Sequence, residues 1–100
     1  MDMKKMMKEA RKMQAELSRA QEEVAELEAE GSAGGGVVRA TASGAGVLLS
    51  VTIDPEVVDP EDVPMLQDLV LTAVNEALGA AAEVASARMN AVTGNMNLPF

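Results

Sequence analysis

The chain has no cysteine, no histidine, no tryptophan and no tyrosine, and Phe100 is its single aromatic residue. Without cysteine there is no disulfide framework and no thiol nucleophile, which suits a reducing compartment. Without histidine the chain lacks the commonest metal ligand and the side chain that titrates nearest neutrality. Ser18, Ser32, Ser43, Ser50 and Ser86 therefore have no imidazole to activate them, and no enzyme chemistry is expected. Without aromatic platforms, single-stranded nucleic acid is a poor candidate ligand. No unbroken apolar run approaches the roughly 18 residues that a membrane span requires. Nor does an apolar segment follow the basic start, so neither a signal peptide nor a membrane partner is expected. Positive charge is scarce too: 8 Lys and Arg face 16 Asp and Glu, for a formal charge of −8. These absences describe a soluble cytoplasmic protein with no cofactor, no metal and no small-molecule substrate.

What remains is rich in Ala, Val, Leu and Met, and 48% of the residues are apolar. Such side chains build cores of closely packed helices rather than of stacked rings. One hundred residues is the length of one domain. We place a single α+β domain at residues 1–94 and a loose tail at 95–100. Residues 2–29 read as one helix. Met3, Met6, Ala10, Met13, Leu17, Ala20, Val24 and Leu27 recur alternately three and four residues apart. That is the a/d register of a coiled coil. A rod of this length reaches roughly 40 Å, against a radius of gyration of about 13 Å for a compact chain of this size. The seam of Met6, Ala10, Met13, Leu17, Ala20 and Val24 is therefore expected to outrun its own domain. A second copy of the chain would cover the remainder.

Glu30 to Gly36 ends that helix, with Gly31 read as a left-handed C-cap. Strands are expected at 37–43 and 47–53, joined by Gly44-Ala45-Gly46 as a three-residue hairpin loop. A third, weaker strand falls at about 30–35. Asp54-Pro55 and Asp59-Pro60 break the chain into an acidic loop. Asp62-Val63-Pro64 then opens a second helix over 63–92, capped at Thr93-Gly94. The expected order is long helix, small antiparallel sheet of two or three strands, long helix.

The scarce cations are gathered rather than scattered. Projected at about 100° per residue from Lys4, the side chains of Lys4, Lys5, Lys8, Arg11, Lys12 and Arg19 fall between about −20° and +100°. The apolar residues fall between about 140° and 300°. A basic stripe thus lies opposite the seam, and the same outer face turns acidic at Glu22, Glu23, Glu26 and Glu30. A solubility coat mixes its signs; segregation along a rod points to an anionic partner. A lipid-surface helix also carries Trp, Phe or Leu opposite its cations; here that face is mainly Met and Ala in heptad order, which suits a partner helix better. Duplex DNA asks only for cations at phosphate spacing. The competing reading is a coiled-coil interaction or scaffold module that recruits an acidic or helical partner. A charged outer face on a helix also arises simply as solvated surface.

Two other patterns carry less. Gly31–Gly36 lacks the Lys and the following helix of a phosphate-binding loop and reads as a turn. Asp54, Glu56, Asp59, Glu61 and Asp62 lack the alternating ligand pattern of a calcium loop and read as solvated.

Several stretches, in order, resemble the YbaB/EbfC family of bacterial nucleoid-associated proteins. They are Met6-Met7-Lys8, Lys12-Met13-Gln14, Glu30-Gly-Ser-Ala-Gly-Gly-Gly36, Ile53-Asp54-Pro55, Met65-Leu-Gln-Asp-Leu69, Ala73-Val-Asn-Glu-Ala77, and Thr93-Gly94 with Leu98-Pro99. The resemblance implies an α+β subunit in a tweezer-shaped homodimer. It implies binding of duplex DNA with little sequence preference, and a place at the nucleoid in organisation or gene regulation. It also implies that the basic first helix meets DNA, and Lys8, Arg11 and Lys12 lie inside the matched stretch. Relatives tend to carry Lys in and after the hairpin turn. Here the turn holds Ala45 and the strand Val47–Ile53 has no cation, so the weight falls on the N-terminal stripe.

Overall fold

The structure is a computed structural model that describes residues 2–95. Helix α1 spans Met3–Glu26, strands β1, β2 and β3 span Glu28–Ala33, Val38–Ser43 and Leu48–Ile53, and helix α2 spans Val63–Asn95. One 3-10 turn, Pro55–Val57, lies between β3 and α2. The strands form one antiparallel sheet in the order β1-β2-β3. The expected α+β order of helix, sheet and helix is the observed one.

Local chemistry accounts for the helix starts. The Asp2 carboxylate accepts the Lys4 backbone N–H at 3.0 Å and caps α1. Asp62 accepts from the Met65 N–H at 3.3 Å, with Pro64 in the first turn of α2, where its missing N–H costs nothing. In the acidic loop, Asp54 and Asp59 each accept a backbone N–H two residues on, at 3.0 and 2.9 Å. Their carboxylates shape turns. Among the described residues no three His, Cys, Asp or Glu side chains converge to hold a metal.

The helix ends were misplaced from sequence. α1 stops at Glu26 rather than residue 29, and its cap Leu27 is already extended. Leu27 to Glu30 are adequate helix formers, but from Glu28 onward each residue has a partner on β2, beginning with Glu28 opposite Ser43. Ladder pairing outweighs the small propensity of three or four residues. The third strand consequently lies at 28–33, two residues earlier than expected. Gly31 is not a helix cap. It sits mid-strand, where a Cβ would overlap the Ala77 nitrogen and the Ala73 carbonyl of α2. Glycine there lets β1 lie directly on the helix backbone. The left-handed residues are Gly34, Gly35 and Gly36 (φ 62°, 74° and 99°), which make the β1–β2 turn, and Gly46 (φ 81°) in the β2–β3 turn. α2 runs through the expected cap at Thr93-Gly94 to Asn95, since one glycine near a helix end costs only about 1 kcal/mol. The proposed tail from residue 96 lies outside the described residues.

α2 lies across β1 and β2 and reaches little of β3. Ala73, Ala77 and Ala81, one turn apart, press on Ala33, Val38, Ala40 and Ala42. Of the nine buried apolar residues among those described, seven are alanine. At about 25 cal/mol per Å² such small side chains stabilise little, so the isolated chain rests on a thin core. By length and composition, residues 63–92 also form a helix apolar enough to cross a membrane, which the search for an unbroken apolar run excluded. Apolar content, not continuity, decides that property, and Glu76 and Glu83 merely punctuate an Ala-, Val- and Leu-rich stretch. In the fold, the alanine stripe of that stretch is spent on the sheet.

The molecule is elongated, 73 × 21 × 16 Å, with a radius of gyration of 19.9 Å. The C-terminal half of α1 packs beside α2. A 33-residue helix is about 50 Å long, so α2 itself runs alongside much of the seam. The body is longer than the compact one assumed for that comparison, so α2 covers part of the seam, and the expected overhang is confined to its N-terminal end. Ala20 and Val24 are buried within the chain, and Met13 and Leu17 are half-buried. Met6 and Ala10 are exposed.

Candidate nucleic-acid interface

Every residue from Asp2 to Lys12 is exposed, and Met13 is the first with partial cover. About 16 Å of helix therefore stands clear of the rest of the molecule. Within it lie Lys4, Lys5, Lys8, Arg11 and Lys12, against only Asp2 and Glu9. The local balance is +3 on a chain of −8, leaving −11 elsewhere. At a Debye length of about 8 Å in physiological salt, the tip is largely screened from most of that negative charge.

The sixth predicted cation, Arg19, is exposed but placed differently. It borders the hollow between the helices with Glu16, Glu23 and Val92. Glu16 and Glu23 offset its charge locally, so the stripe divides into a projecting group of five and one cation beside acid.

The described residues contain two ion pairs. Arg88 reaches Glu23 at 3.2 Å and ties α2 to α1. Arg39 lies 3.8 Å from Glu30 and also donates to the Gly36 carbonyl at 3.3 Å. Neither pair takes a cation from the α1 stripe. The two basic residues outside α1 are thus committed to internal contacts, and the six in α1 are presented to solvent. Neither pair is legible in the sequence, because both join residues brought together only by the fold.

A second feature escaped sequence reasoning. All six residues of β3 are exposed, among them Leu48, Leu49, Val51 and Ile53. Val51 and Ile53 sit opposite Ala40 and Val38, on the helix-facing side of the sheet, yet past the edge of α2. Leu71 of α2 is also uncovered, at 60%. On the other face, Thr41 and Ser50 hydrogen-bond across β2 and β3, and that face is polar. The alternation along β3 foretold one buried side; the lateral offset of α2 leaves that side without cover.

Residues 1–96 match the YbaB/EbfC DNA-binding family. A nucleoid-associated protein of Moorella thermoacetica is 55% identical over 98 residues, covering 98% of this chain and 94% of that protein. One from Alkaliphilus metalliredigens is 50% identical over 98 residues, covering 98% of this chain and 86% of that protein. A crystal structure of an uncharacterized protein, HP0035 from Helicobacter pylori, superposes with a TM-score of 0.69 at 23% identity. It covers 96% of this chain and 97% of that one.

Proposed function

The chain belongs to the YbaB/EbfC DNA-binding family, and on that premise we propose that it is a non-enzymatic nucleoid-associated protein of the cytoplasm. It binds duplex DNA with little sequence preference through the projecting basic end of α1. The observation that carries this reading is the exposed set Lys4, Lys5, Lys8, Arg11 and Lys12, in neither ion pair found among the described residues, on a helix that stands clear of an acidic body. Phosphate contacts need only such cations at groove spacing, and the negative remainder confines DNA to the tip. Many weakly held copies would organise the nucleoid or modulate transcription.

We read the working unit as a homodimer. The exposed apolar residues on the helix-facing side of β3 support it, since a second copy seated beside α2 would cover Val51 and Ile53. The heptad seam supports it less, because the chain covers half of that seam itself. Two tips held at fixed separation then give the tweezer shape.

A salt titration on duplex DNA tests the function. Neutralising one phosphate with each of the five projecting cations gives log K against log salt a slope of about −4.5 per chain, doubled in the pair. A slope near zero would transfer the reading to a helical protein partner.

A further inference from the structure

We propose that Met3 and Met7 are base-contacting residues: the first two turns of α1 enter the major groove of bound duplex DNA, where these methionines pack against the C5-methyl groups of thymine. This rests on the reading of α1 as the DNA-contacting helix and adds to it a contact that charge alone does not supply.

The argument begins with exposure. Met3 is 73% exposed and Met7 52%, large apolar groups held in water at the end of a charged rod. Neither the sheet nor α2 reaches them. The methionines of α1 then separate by azimuth. Met6 lies at about 200° from Lys4, in line with Met13 and Leu17, and continues the seam. Met3, at about 260°, stays beside the seam residue Ala10 at about 240°, while Met7, at about 300°, is turned out of the seam toward Arg11 at about −20° and Lys4 itself. Met7 shares one shallow surface hollow with Lys4, Lys8 and Arg11. An apolar strip therefore runs directly beside the cations, on the part of the helix that touches nothing else. The two anionic groups of the tip are out of the way: Glu9 lies at about 140°, and the Asp2 carboxylate caps the Lys4 amide at 3.0 Å.

Dimensions choose the groove. An α-helix is about 10–12 Å across; the major groove is about 12 Å wide and about 8.5 Å deep, the minor groove about 6 Å wide. The free length of α1, about 16 Å, exceeds that depth. With the helix in the major groove, Arg11, Lys4 and Lys8 meet phosphates on one rim and the methionines face base edges. The thymine methyl is the apolar group presented there. Met3 and Met7 are about 6 Å apart along the axis, close to the rise of two base pairs, about 6.8 Å. Methionine is unbranched and adaptable, so it accepts a methyl at several registers. The result is a mild preference for thymine-bearing tracts rather than a defined site.

The test uses two duplexes of identical sequence, one with deoxyuridine replacing every thymidine. That replacement removes the methyl groups and keeps the pairing edges and phosphates. The full chain is expected to bind the thymidine duplex at least about fourfold more tightly, the factor for one buried methyl-sized group, with the same salt slope on both. The double variant Met3→Ala/Met7→Ala, which keeps every charge and a helix-favouring residue, is expected to bind both duplexes equally with that slope unchanged. Equal affinity of the unaltered chain for the two duplexes overturns the proposal. So does a double variant that keeps the preference. Absence of salt-dependent binding to either duplex overturns the prior reading of α1 as well, a different result.

Discussion

Residues 3–12 and 13–26 of α1 share one alternating spacing of apolar residues, yet the first stretch is exposed throughout and the second buries Ala20 and Val24. The first carries five of the six α1 cations; the second carries Glu16, Glu22, Glu23 and Glu26. Helix periodicity is the same in both, so it does not set their fates. What lies across from each stretch does. The second half has α2 and the β2–β3 turn beside it, with Gly44 donating to the Leu27 carbonyl at 2.9 Å. The first half has solvent. An amphipathic pattern marks a face that will be covered when something is there to cover it, and free polar surface with apolar residues in it when nothing is.

That contrast is most sharply broken by placing the same charge in both halves. Val24→Asp buries a carboxylate with no partner and is expected to cost about 3 kcal/mol or more, seen as a lower urea midpoint. Met6→Asp, on the same seam but exposed, is expected to change stability by less than about 0.5 kcal/mol. Comparable losses at the two positions would mean that a partner covers the tip in the folded state.

Reversing charge in the first half sharpens the comparison from the functional side. Lys8→Glu/Arg11→Glu/Lys12→Glu removes three phosphate contacts and adds repulsion, for an expected affinity loss of roughly 100-fold at moderate salt. The melting temperature should stay within a few degrees, because none of the three side chains packs on the core. A mobility shift that survives the reversal moves the interface elsewhere.

The smallest effect on the isolated chain is expected from Val51→Glu, on the uncovered side of β3. An exposed edge substitution costs about 1 kcal/mol or less. Its consequence for mass is larger: light scattering should fall from twice 10.4 kDa to 10.4 kDa. DNA binding by the single chain should then show about half the salt slope of the pair. Unchanged mass would locate any self-association away from β3.

Much of the fold was legible in sequence because it is written in short-range chemistry. The Gly44-Ala45-Gly46 hairpin loop, the Asp54-Pro55 and Asp59-Pro60 breaks and the Asp62-Val63-Pro64 helix start each act within a few residues. So does the azimuth of Lys4, Lys8 and Arg11, which follows from helix geometry alone. The errors fall where distant residues decide. Leu27–Ala29 read as helix because nothing nearby announces that Glu28 and Ala29 pair with Ser43 and Ala42. Gly31 read as a cap because its constraint is the backbone of α2 at Ala73 and Ala77. The pairing of Arg88 with Glu23 is not legible at all, because the two lie 65 positions apart.

By itself the sequence determined the order of elements, the family, and a basic stripe on one side of the first helix, since periodicity, turn chemistry and charge order are properties of neighbours. Only the tertiary structure decided how far that stripe stands clear of the acidic body, which part of the seam α2 covers, and that β3 is left open. Those are matters of lateral offset and relative length, and no local interaction encodes them.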